Sequence, residues 1–151
     1  MVHDKVSEVV AASCEVAFDV IHDYERRLQW DPLLRGAFIV GGGLAGKGAI
    51  AVCTGKRAVG GLRIETIYIS FQRGVVAAVK MVNQPALFET WAASIRHEAV
   101  DRGRSRVTYT WSFKARPRWL AFVLEPLLAL IFHYETRRRL RALGRFLARP
   151  A

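Results

Sequence analysis

Between residues 34 and 114 the chain reads as one β-strand after another, and a single long helical segment follows. Gly48–Val52, Leu62–Phe71, Val75–Val82, Leu87–Val100 and Arg106–Lys114 are β-rich. They are separated by glycines, by Asn83-Gln84-Pro85 and by Asp101-Arg102-Gly103-Arg104, all turn-forming compositions. The last run alternates most clearly, with Val107, Tyr109, Trp111 and Phe113 on one face and Arg106, Thr108, Thr110 and Ser112 on the other. About six antiparallel strands with one helix to cover them must curl around that helix. Their apolar face is wider than one helix can fill, so part of the concave surface is expected to face a void or a guest.

The flanking elements complete this outline. Residues 5–12 alternate weakly and predict a first strand. Ser13 with Glu15 in the first turn predicts a helix start, and Val16, Val20 and Ile21 share one face. A second short helix is expected over about 24–31, ending before Pro32. Pro117 opens the tail, which runs helically to about Arg149. Pro126 is expected at the first position of its main helix, 126–148, after a short turn at 118–124. Leu140, Leu143 and Leu147 form a stripe there, with Arg137, Arg138, Arg141 and Arg145 on other faces. No repeat or linker interrupts the sequence, so residues 1–151 are expected to form one domain.

Composition excludes several classes. Of 151 residues, 52% are apolar and 24% charged, which is not the composition of a disordered chain. The nearly apolar run Trp119–Phe132 contains Glu125 and Pro126 and is shorter than the ~20 residues that cross a bilayer. Met1-Val2-His3-Asp4-Lys5 lacks a secretory layout. Cys14 and Cys53 have no metal-ligand spacing and are expected as free thiols in a reducing cytoplasm. The net charge of +10 is uneven, at −4 over residues 1–34, +8 over 35–115 and +6 over 116–151. Such a chain attracts anionic surfaces. A nucleic-acid partner is not expected, because no recognition motif is present and the aromatics do not interleave with the basic residues.

Candidate ligand-binding residues are Trp30, Tyr68, Trp91, Tyr109, Trp111, Phe113, Phe122 and Phe132, each of which also suits an ordinary core. Glu89 and His97 share strand parity with Trp91, Ala93 and Ile95 and are weak catalytic candidates. They stand roughly 26 Å apart along an extended strand, too far to act as a dyad. His3, His22 and His133 form no metal-binding motif, and neither a nucleophile elbow nor a phosphate loop is present. No metal or cofactor is expected. Arg137, Arg138, Arg141 and Arg145 beside the apolar run Trp119–Phe132 suggest contact with an anionic membrane. The same run equally suits a cavity plug or a homodimer contact.

The ordered set of motifs resembles the SRPBCC, or START-like helix-grip, superfamily, and within it the polyketide cyclase/dehydrase and lipid-transport branch. The matching segments are Ala17-Phe18-Asp19-Val20-Ile21-His22-Asp23-Tyr24 with Gln29-Trp30-Asp31-Pro32, then Gly46-Lys47-Gly48, Gly103-Arg104-Ser105-Arg106-Val107-Thr108-Tyr109, and Pro126-Leu127-Leu128 with Glu135 and Arg139-Leu140-Arg141-Ala142-Leu143. The resemblance implies an α+β helix-grip fold, β-α-α-β6-α, with a curved antiparallel sheet of about seven strands around the C-terminal helix. It also implies a deep apolar cavity that binds lipids, quinones or polyketides. Three functional readings follow. The first is a carrier of a hydrophobic small molecule, with its entrance near Trp30 and the loops at 55–61 and 83–86. The second is a cyclase- or dehydratase-like enzyme drawing acid and base from Glu89, His97, Tyr68 or Tyr109. The third is a dimerisation or membrane-surface module with a filled cavity. The expected location is the cytoplasm, peripheral to the inner face of the membrane.

Overall fold

The computed structural model describes residues 1–149. In chain order the elements are β1 (Val2–Val10), α1 (Cys14–Ile21), α2 (Arg27–Trp30), β2 (Leu34–Ile39), β3 (Ile50–Gly55), β4 (Arg63–Gln72), β5 (Val76–Met81), β6 (Phe88–Asp101), β7 (Arg104–Ala115) and α3 (Ala121–Leu147). The seven strands form one antiparallel sheet in the order β1-β7-β6-β5-β4-β3-β2. β2 to β7 make a meander, and β1 pairs with β7 through Val2–Val10 against Phe113–Ser105. Register shifts in β2, β4 and β6 mark bulges. Bulges deepen local twist and let the sheet curl, and α3 lies in the resulting hand. This is the helix-grip arrangement expected from the sequence.

The alternation in β7 holds. Val107, Tyr109, Trp111 and Phe113 all face inward and are buried. They pack with Val6 and Val10 of β1, Ala17 and Ile21 of α1, and Leu140 and Leu143 of α3. Each fully buried large apolar side chain contributes about 1.5–3 kcal/mol, so this end of the sheet is the firm part of the molecule. Ser13 caps α1, its side chain accepting from the Val16 amide at 3.3 Å.

Several boundaries differ from expectation. The first strand ends at Val10, where its ladder with β7 stops, rather than at residue 12. In α1 the buried residues are Ala17, Phe18, Val20 and Ile21, and Val16 is turned to solvent. α2 is a single turn, residues 27–30. The strand expected over 48–52 is shifted to Ile50–Gly55, because Gly48 takes a positive φ of 86° that no strand accommodates. Pro126 lies inside α3, not at its first position, since the helix begins at Ala121. The carbonyl that loses its partner belongs to Phe122, on the open side of the helix at 78% exposure. Glu125 anchors this end of α3, its carboxylate accepting from the Ala115 amide at 3.0 Å.

Candidate functional site

The concave face of the sheet and α3 enclose a cavity of about 640 Å³. That volume suits a small organic ligand. It exists because the inward positions beside α3 are small on the middle strands: Ala77 on β5, Ala93 on β6 and Gly55 at the end of β3 all stand on its wall. Larger apolar groups close it, among them Ile64, Val79, Trp91, Ile95, Leu128 and Phe132. Leu87 and Ile131 line it and are also 41% and 44% exposed, so they stand at the mouth. Leu87 is held at a φ of +74°, a strained conformation for a residue with a γ-branched side chain.

One polar group on the wall is a row of three side chains. The His22 Nδ1 and Tyr68 hydroxyl lie 2.7 Å apart, and the Tyr68 and Tyr24 hydroxyls 2.8 Å apart. The turn after α1 supplies His22 and Tyr24, and β4 supplies Tyr68. Burial strips the imidazole of solvation and lowers the His22 pKa to about 3, aided by nearby Arg27 and His97. His22 is therefore neutral. Burial also pushes the Tyr24 phenol up to about 12 and raises Tyr68 further. All three groups hold their protons as neutral hydrogen-bonding partners near neutral pH.

The other polar group is ionic. Asp31, with a fully buried side chain, accepts from Arg27 Nε at 2.9 Å and lies 3.0 Å from Arg139 Nη2. Arg139 Nε also donates to it at 3.1 Å, and its second oxygen accepts from the Leu33 amide at 3.0 Å. Arg27 reaches back to the Ile21 carbonyl at 3.1 Å and lies over the Trp30 ring at 5.1 Å. Arg139 lies over the Tyr109 ring at 5.4 Å. Burial opposes charge on both guanidiniums, but the Asp31 carboxylate more than restores it, and their pKa values rise. Burial likewise works against the Asp31 carboxylate, yet the two arginines win and its pKa falls. Arg27 and Arg139 both form part of the cavity wall.

The family model for polyketide cyclase / dehydrase and lipid transport matches residues 1–147. The chain belongs to this family. Among solved structures it is similar to a START superfamily protein from Mycobacterium smegmatis, at 13% identity and a TM-score of 0.75, with 96% of each chain covered. It is also similar to the Zhui aromatase/cyclase from Streptomyces sp. R1128, at 15% identity and a TM-score of 0.77, covering 94% of this chain and 90% of that one. A third likeness is to a protein from Thermus thermophilus, at 10% identity and a TM-score of 0.80, with 95% of each chain covered. At these identities the likeness establishes the shared fold. No curated protein matches the sequence.

Within this polyketide cyclase/dehydrase and lipid-transport fold, the structure sorts the residues singled out from the sequence. Tyr68, Trp91, Tyr109 and Phe132 stand on the cavity wall. Trp111 and Phe113 do not, being packed at 1% and 0% exposure in the firm core. Trp30 is buried against Arg27 and is not at the mouth; the loops near 55–61 and 86–87 are. Phe122 points away from the cavity, 78% exposed. Glu89 also faces outward, because the bulge between Phe88 and Thr90 reverses its parity; it lies 3.7 Å from Arg118. His97 is inward and buried but off the cavity wall, beside the Phe18 ring at 5.4 Å. Neither of its ring nitrogens has a partner among the described residues, and burial lowers its pKa to about 4. Glu89 and His97 thus form no catalytic pair. The described residues contain no cluster of metal-ligating side chains.

The polar wall residues His22, Tyr24, Arg27 and Arg139, and Asp31 buried behind the two arginines, were not among the candidate site residues read from the sequence. A signal for them exists. Arg27 and Asp31 are spaced i,i+4, the pairing distance on a helix. Arg139 lies on the face of α3 that carries Phe132 seven residues earlier and Leu143 four later, so it interrupts an apolar stripe. Arg137, Arg138, Arg141 and Arg145 are exposed, as their positions on other faces require. The outer face of the first half of α3 is apolar and open: Trp119 (in the short turn just before it), Phe122, Leu130 and Tyr134 are all exposed by more than half. With that face the segment Arg118–Leu147 is long and apolar enough by composition to span a bilayer, yet its second half packs on the sheet through Leu140 and Leu143.

Proposed function

We propose that this protein binds and carries a hydrophobic small molecule, of lipid, quinone or polyketide-like type, in the cavity between sheet and α3. The observation that carries the reading is the 640 Å³ cavity itself, whose apolar wall would gain ~25 cal/mol for each Å² of ligand surface removed from water. The polar groups on the wall support carriage over turnover. His22 Nδ1, Tyr24 and Tyr68 bond one another, and Asp31 is engaged by Arg27, Arg139 and Leu33. Displacement of an environment-sensitive dye by fatty acids, quinones and aromatic polyketides tests the reading. Saturable displacement by one class is expected, and it should be lost in Ala93→Phe, which fills the cavity from β6. Absence of saturable binding by every class overturns it.

A cyclase- or dehydratase-like activity is the second reading. One observation favours it: the Tyr24–Tyr68–His22 row lies on the cavity wall, where the terminal Tyr24 hydroxyl can donate to a ligand carbonyl when His22 carries its proton on Nδ1 and donates to Tyr68. The Zhui neighbour is named an aromatase/cyclase, and a poly-β-keto substrate is the corresponding test. Turnover unchanged in Tyr68→Phe and Tyr24→Phe removes these residues from that reading.

For loading, we propose a cytoplasmic protein whose open α3 face meets the inner, anionic face of a membrane. Leu87 and Ile131 at the mouth continue that face into the cavity, and Arg118, Arg137, Arg138 and Arg141 flank it with positive charge. A second copy of the chain is the competing occupant of this face.

A further inference from the structure

We infer that the guest in the cavity is an amphiphile with a carboxylate head, seated against Arg139 and Arg27. The inference deepens the carrier reading and rests on it.

The argument begins with a charge count. Arg27 and Arg139 are 4% and 8% exposed, and one carboxylate, Asp31, serves both. One negative charge neutralises one of the two guanidiniums, so a net positive charge remains in a poorly solvated place. Buried charges are rarely left uncompensated, because desolvation is costly. Glu135, one turn earlier on α3 and also on the wall, pairs with Arg138 at 3.4 Å. The rings of Trp30, Tyr24 and Tyr109 beside the guanidiniums soften the field but carry no charge.

The donor count points the same way. Arg139 engages Asp31 through Nε and Nη2, which leaves Nη1 for the cavity that the residue lines. Arg27 donates through Nε to Asp31 and through Nη1 to the Ile21 carbonyl, which leaves Nη2. Guanidinium groups match the two oxygens of a carboxylate better than any single-acceptor head. The remaining wall is largely aliphatic and aromatic, as Ile64, Val79, Trp91, Ile95, Leu128 and Phe132 show, and this defines the tail as hydrocarbon.

The test is a matched series on the intact protein: palmitic acid, methyl palmitate and hexadecanol, each displacing the same dye at neutral pH. Palmitic acid is expected to bind roughly tenfold tighter than the ester or the alcohol, which share its tail. Equal affinity across the series overturns the carboxylate head while leaving the carrier reading intact. Failure of all three, together with quinones and polyketides, removes the carrier reading itself. In Arg139→Gln the acid should lose its advantage over the ester and the alcohol, and an advantage kept in full overturns the proposal. Because Arg139 also holds Asp31, a readout on the wild type stands beside it: 13C-carboxyl palmitate, followed by NMR, should titrate at lower pH when bound than when free. A bound carboxyl that titrates at the same or higher pH overturns the proposal.

Discussion

Arg139 and Asp31 lie 108 positions apart in the chain, yet Arg139 Nη2 and the buried Asp31 carboxylate are 3.0 Å from each other. This contact ties the last helix to the segment after α2, and Arg27 joins it from the same side at 2.9 Å. Removing the shared carboxylate leaves two buried guanidiniums facing each other unpaired. Asp31→Asn should therefore destabilise the fold by about 3–5 kcal/mol, measured by urea unfolding at pH 7. The exposed pair Arg73–Asp19, 2.6 Å apart, supplies the contrast. Asp19→Asn should cost no more than about 1 kcal/mol, since exposed ion pairs are screened by solvent.

Acid sensitivity follows from His22 and His97. Both are buried, with pKa values lowered to about 3 and about 4, and in the unfolded chain each returns to near 6.5. Between those limits the unfolded state binds protons that the folded state refuses. Stability is therefore full above about pH 7 and declines as pH falls through 6 and 5. The slope approaches about 1.4 kcal/mol per pH unit for each histidine. Thermal melts from pH 7.5 to pH 5 should show this decline, and His97→Gln, if it folds, should flatten it by about half. A melting temperature constant across that range would refute the assignment of buried neutral imidazoles.

Cys53 lines the cavity and Cys14 does not. Burial raises the pKa of both thiols, so both should alkylate slowly at neutral pH. A guest in the cavity would cover Cys53 and leave Cys14 untouched. Mass spectrometry after iodoacetamide treatment should show ligand-dependent protection at Cys53 alone. Equal rates with and without a saturating ligand would place that ligand elsewhere.

The fold was legible because its signals are periodic. The alternation Val107-Tyr109-Trp111-Phe113 survives as a buried face, and Ser13 caps α1 through its hydroxyl. The site was less legible because its determinants are local breaks in those periods. The bulge between Phe88 and Thr90 turned Glu89 outward, which parity counting cannot foresee. Phe122 shares its composition with the buried aromatics but lies on the open side of a helix that begins five residues before Pro126. The Arg27–Asp31–Arg139 group joins segments from opposite ends of the chain, and only one of its two ion pairs has a sequence spacing that announces it. Cavity volume depends on small residues such as Ala77 and Ala93 standing opposite α3, a property of the assembled walls rather than of any one strand.

The open face of α3 yields the last prediction. Trp119 and Phe122 are 74% and 78% exposed and touch neither the firm core nor the cavity wall. Replacing both with serine should leave folding stability within about 0.5 kcal/mol of wild type, as for other surface changes. If this face meets an anionic bilayer, the wild type should float with phosphatidylglycerol-containing vesicles and not with pure phosphatidylcholine, and the double variant should lose most of that binding. Raising the salt should weaken the wild-type interaction, because Arg118, Arg137, Arg138 and Arg141 act through a screened field. Binding that ignores both lipid charge and salt would contradict the electrostatic component. A concentration-dependent dimer abolished by the same double substitution, with no flotation at all, would reassign the face to a second copy of the chain.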